Sequence, residues 1–121
     1  MQTRVSSYPG WDEIAVSGEI TSADIAPLEE ILQRFLTVGR YHVIIDMSGL
    51  IYIGSAGLSL FIRYTNALRR WDRGDLYLAD LSGPIQKLLQ IAGLVSEEHS
   101  QFSIYPSLAA AREAVQRQAK S

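Results

Sequence analysis

The run Tyr41-His42-Val43-Ile44-Ile45-Asp46, near the middle of the chain, limits the fold more than any other segment. It is apolar without alternation and rich in β-branching, so as a strand it has no polar face to turn to water. Such a strand belongs inside a sheet covered on both faces, where its neighbours are reached through crossover helices.

The flanking segments read as those partners. Ile25, Leu28, Ile31, Leu32, Phe35 and Leu36 recur at three and four residues, an amphipathic helix that starts at Ser22 or Asp24 and ends at Gly39, with Pro27 in its first turn. After a link from Met47 to Ile53, Gly54-Ser55-Ala56-Gly57 opens a second helix to about Arg73, closed by Gly74. Its polar stripe is Ser59, Arg63, Asn66 and Arg70; Leu58, Phe61, Ile62, Thr65 and Leu68 face the sheet. Leu60, Tyr64, Ala67 and Trp71 form a second apolar stripe, for which Tyr64 and Trp71 read as packing against a neighbouring helix. At the start, Arg4–Tyr8 and Ile14–Ile20 flank Pro9-Gly10-Trp11-Asp12 as a β-hairpin. Asp75 to Asp80 is a short strand, Ile85 to Ile91 a helix entered through Ser82-Gly83-Pro84, Phe102 to Tyr105 a last strand, and an alanine-rich helix follows Pro106-Ser107. The order is β-β-α-β-α-β-α-β-α, an α/β fold with a mixed sheet of about five strands and four helices packed on it.

The 121 residues suit one core. Folded, they expose about 6,500 Å² against roughly 19,400 Å² unfolded, so residues 1–121 are expected to form a single domain. With no cysteine there is no disulfide framework and no thiolate chemistry. Eleven basic against 13 acidic residues make no electrostatic case for nucleic acid or for direct membrane binding. No targeting signal is read at Met1 to Ser6, and the apolar runs are too short to span a bilayer, so a cytoplasmic location is expected.

Enzyme chemistry finds little support. His42 enters the buried strand, and His99 sits with Glu97 and Glu98 in a loop that reads as solvated, so no three or four donors converge on a metal. Ser55 lies in a strand-to-helix turn, but a hydrolase elbow needs glycine two residues before it, where Ile53 stands. Gly54 and Gly57 are too close for a phosphate loop, and no Gly-Lys-Ser/Thr follows. Neither a metal nor a cofactor is expected.

The informative stretch is Asp46 to Leu58. Asp46 ends the buried strand, and its carboxylate is expected to meet solvent there. Ser55 occupies the position of a helix N-cap, where its hydroxyl accepts an orphan N–H. A phosphoryl group at a helix N-terminus is tolerated electrostatically, by about 0.3–1 kcal/mol, and puts up to about two negative charges on the surface. From the residues alone both readings stand, a plain cap and a phosphoswitch.

Val43 to Leu58 resembles the signature of the STAS domain, the family of bacterial anti-sigma-factor antagonists. Further segments match in order: Val16-Ser17-Gly18-Glu19-Ile20 before the first helix, Gly74 to Ala79 after the second, Leu81 to Leu89 at the third-helix entry, and Ile91-Ala92-Gly93-Leu94 at its close. The resemblance implies the STAS fold and a switch of the form Asp-Ser-Ser/Ala-Gly-Leu, whose first serine is phosphorylated by an anti-sigma factor that is also a kinase. That serine falls on Ser55, followed by Ala56, Gly57 and Leu58; Gly54 replaces the acidic residue, and Thr21 stands where an aspartate is common. The docking surface is expected to include Thr21, Ser22, Gly54, Ala56, Gly57, Leu58, Ser59, Leu60 and Arg63, with Asp46 supporting the switch. The function implied is that of a non-enzymatic antagonist. Its partners would be the anti-sigma factor kinase and a PP2C-type phosphatase, and the protein itself a monomer or weak dimer. The alternative is a STAS accessory subunit of a transport or other signalling complex without a phosphoswitch. Nucleotide binding, suggested for some members, finds no phosphate loop here.

Overall fold

A computed structural model describes residues 1–96 and 99–119. Glu97 and Glu98 of the loop noted above lie outside the described residues. The hairpin comprises β1 (Gln2–Tyr8) and β2 (Trp11–Ile20), so Trp11 and Asp12 are strand and not turn. Pro9 and Gly10 alone make the connection, with Gly10 at φ +97°, as a Pro-Gly type II turn requires. A short 3-10 turn at Ser22–Asp24 leads into α1 (Ile25–Thr37).

The next strand departs from expectation. β3 runs without interruption over His42–Ile53, so Met47 to Ile53 is strand and not a link. Met47, Leu50 and Ile53 are buried, and β2 keeps pace with the long strand through two register shifts, between Ala15 and Ser17 and between Gly18 and Glu19. Gly49 permits the close approach: a Cβ there would sit 2.8 Å from the Ser17 Cβ. The chain continues through α2 (Ser55–Arg69), β4 (Asp75–Ala79), α3 (Gly83–Ile91), β5 (Ser103–Tyr105) and α4 (Leu108–Ala119). Helix α2 stops at Arg69 rather than Arg73, and a 3-10 turn at Arg70–Asp72 follows.

The sheet order is β1-β2-β3-β4-β5, with β1 antiparallel to β2 and every other pair parallel. Each parallel crossover moves one strand onward in the same direction. Right-handed connections then put α1, α2 and α3 on one face and leave the other to α4. The two apolar clusters follow that division. Leu28, Leu32, Phe61, Leu68, Ile85 and Leu89 pack on Ile14, Ile45 and Leu78 on the first face. Ala111 and Val115 pack on Trp11, Ile44 and Tyr77 on the second. Helix α4 is tied down by Arg112, which reaches Glu13 through two bonds of 2.6 and 2.8 Å. Burial pushes the Glu13 carboxyl up, but Arg112 and the Trp11 indole outweigh it and hold the group below the usual glutamate range.

Candidate partner-docking and phosphorylation site

Strands β2 and β3 end side by side, Ile20 opposite Ile53, and the Gly54 N–H donates to the Ile20 carbonyl at 3.0 Å. This pairing sets the Thr21–Asp24 turn beside the start of α2. The N-cap is Gly54 and not Ser55: Gly54 has extended backbone (φ −80°, ψ 172°), and its carbonyl accepts the first helical bond, from Leu58 N–H at 3.1 Å. Ser55 is therefore the first helical residue, and its side chain makes no capping bond. Ser55 is exposed, and among the described residues its hydroxyl has no hydrogen-bond partner.

Helix α2 is held from beneath. Gly57 is buried where a Cβ would meet Ile53 at 2.7 Å and Ile20 at 2.9 Å, so the helix start sits directly on the ends of both strands. Leu60 is fully buried, and Tyr64 is buried against α1, with its hydroxyl 3.0 Å from Gln33 Oε1 and 3.2 Å from Glu29 Oε2. Gly57 and Leu60 accordingly face the core and offer a partner nothing. Trp71 corrects the packing reading in the opposite sense, since it is 78% exposed.

Of the other expected residues, Thr21, Ser22, Ala56, Ser59 and Arg63 are exposed, and Gly54 and Leu58 are half-buried. Arg63 is engaged with Glu29 at 3.0 Å. Asp46 lies in the middle of β3, half-buried, where its Oδ1 accepts the Ser48 N–H at 3.1 Å; it is remote from the strand end and does not support the turn. Asp24 organises the neighbouring loop, accepting the Thr21 N–H at 2.8 Å and the Thr21 hydroxyl at 3.0 Å. Those bonds, the backbone one foremost, hold its carboxyl below the usual aspartate range. The loop's stabilisation is therefore complete at neutral pH and lost as the pH falls through that lowered value.

Two residues escaped the sequence reading. Ile51 and Tyr52 are 66% and 46% exposed, beside the serine turn. In an apolar run they are indistinguishable from core; the signal was the three-residue spacing of the buried Met47, Leu50 and Ile53, which leaves the positions between them outside.

Among the described residues no group of three or more histidines, acids or cysteines could hold a metal, and no helix is long and apolar enough to cross a membrane.

A five-stranded mixed sheet, three helices on one face, one on the other, and an exposed serine at the β3–α2 junction define a STAS-type domain. The chain belongs to the STAS domain family, which matches residues 7–111. Over 87 residues it is 32% identical to the anti-sigma-B factor antagonist of Staphylococcus epidermidis, covering 72% of this chain and 80% of that protein. Its fold is similar to that of an anti-sigma factor antagonist from Mycobacterium paratuberculosis, with a TM-score of 0.77 and 23% identity over 95% of this chain and 93% of that one. It also resembles the Bacillus cell fate determinant SpoIIAA in its phosphorylated form, with a TM-score of 0.65 and 17% identity over 96% and 98% of the two chains.

Proposed function

We propose that this protein is an anti-sigma factor antagonist, a binding regulator that docks on a serine-kinase anti-sigma factor and is released when Ser55 is phosphorylated. The carrying observation is the exposed Ser55 hydroxyl, excused from capping by Gly54, at the head of a helix seated on the strand ends. Relatives named as antagonists and a fold neighbour known in a phosphorylated form support the reading.

The geometry supplies the mechanism. Modification of Ser55 breaks no hydrogen bond of the fold, and the first-turn N–H groups of α2 favour the added charge by about 0.3–1 kcal/mol. The antagonist keeps its structure while its surface gains about −1.5 to −2. A partner packed over Thr21, Ser22, Tyr52, Ala56, Leu58 and Ser59 then has to desolvate a phosphate without a cation to meet it, and it lets go. A PP2C-type phosphatase restores docking.

The test is phosphoryl transfer from the partner kinase and ATP, followed by intact mass. One added phosphoryl group, lost in Ser55→Ala, is expected. A stable complex in which no phosphate is transferred would leave the docking role and remove the switch.

A further inference from the structure

The outer edge of β1 lacks most of the features that usually protect a sheet edge, Arg4 being its one charged residue. It carries no proline or lysine, and its seven residues pair with β2 in unbroken register, without a bulge. The opposite edge, β5, is three half-buried residues long and is followed directly by Pro106. At β1, Gln2, Thr3, Arg4 and Val5 are all exposed, and Val5 presents 44% of its surface.

The two-residue turn makes Tyr8 and Trp11 a hydrogen-bonded pair, so Tyr8, Ser6, Arg4 and Gln2 direct their backbone groups to β2. The N–H and C=O groups of Thr3, Val5 and Ser7 point outward. From this edge we infer that β1 is a self-association surface, on which two copies pair antiparallel about a two-fold axis at Val5. Thr3 then lies opposite the second copy's Ser7, Arg4 opposite its Ser6, and Val5 opposite its own copy, which closes about six backbone hydrogen bonds. No like charges meet in that register.

Charge does not oppose the same arrangement. Among the described residues Arg4 has no carboxylate within ion-pair distance. In the paired state it stands beside the second copy's Ser6; the cavity of about 340 Å³ that Arg4 lines also holds Asp46 and Glu13, the latter already paired with Arg112. The two-fold axis is perpendicular to the joined sheet, so both α4 helices share one face and the two Ser55 turns point in opposite directions, both open. The inference is therefore independent of the phosphoswitch.

Sedimentation equilibrium of the full chain tests it. The mass is expected to rise from 13.4 kDa toward twice that value as concentration climbs from about 10 µM to about 1 mM. Val5→Lys sets two ammonium groups on the axis, and Val5→Pro removes an outward N–H that β2 does not use; each is expected to weaken association at least about tenfold. In the unaltered protein the Thr3, Val5 and Ser7 amides should exchange more slowly as concentration rises, a readout that stands even if a variant fails to fold. A mass fixed at the monomer value, or an association without protection of those amides, would overturn the inference.

Discussion

At its N-terminal end α2 begins from Gly54 with no side-chain cap and presents the free Ser55 hydroxyl. At its C-terminal end Arg73 donates to the carbonyls of Ala67 and Arg70, and the chain turns back through Trp71 and Asp72, both left-handed (φ 57° and 56°). The Arg73 guanidinium also lies 4.2 Å from the Tyr41 ring and 5.1 Å from that of Trp71. One end is closed by many local contacts. The other is secured by the Gly54 N–H on the Ile20 carbonyl and from beneath by the seat of Gly57 on Ile20 and Ile53. The difference suits the modification proposed for Ser55: anchorage is moved to the buried face, so the Ser55 side chain carries no structural duty.

Substitutions can break this contrast in graded steps. The largest effect is expected for Gly74→Ala, just beyond the closed end, because its Cβ would fall 2.0 Å from the Tyr41 carbonyl oxygen. A loss of about 3 kcal/mol in urea unfolding is expected, at the top of the range for overpacking. Gly57→Ala at the open end meets only side chains, at 2.7–3.0 Å, and should cost about 2 kcal/mol. Because it tilts the helix start, it should also weaken partner binding, which Gly74→Ala should leave nearly intact in the folded fraction.

The two remaining changes run the other way. Asp72→Gly relieves one left-handed residue, a gain of about 0.5 kcal/mol once the extra freedom of glycine in the unfolded chain is subtracted. Gly54→Asp supplies the missing capping side chain, and a Cβ fits there, with its nearest neighbour at 3.7 Å. The gain should be only about 0.3 kcal/mol, since glycine is itself a fair cap. Thermal unfolding of both variants checks the sign.

What the sequence could reveal follows the same division. The buried strand around Ile44, the α1 stripe and the Ser82-Gly83-Pro84 helix entry were readable because each depends on local periodicity or backbone chemistry. The continuation of β3 through Ser48 and Gly49 was not, for these residues look like a turn and become strand only because β2 bulges beside them. The placement of Ser55 at the start of α2 was legible, whereas its exclusion from the cap was not: that rests on the ψ of 172° at Gly54, a property of one residue. Leu60 could be placed inside only with α1 beside α2, and Trp71 outside only with the left-handed reversal in view.

The central claim is that phosphate on Ser55 changes what the surface can bind without changing the fold. Titration calorimetry with the purified anti-sigma factor, before and after stoichiometric phosphorylation, addresses it directly, with an amide NMR spectrum of each form as the control. The expected result is a fall in affinity of at least about a hundredfold, with amide shifts confined to Thr21–Asp24 and the first turns of α2. Equal affinity of the two forms, or shifts spread through the α4 face, would contradict the account.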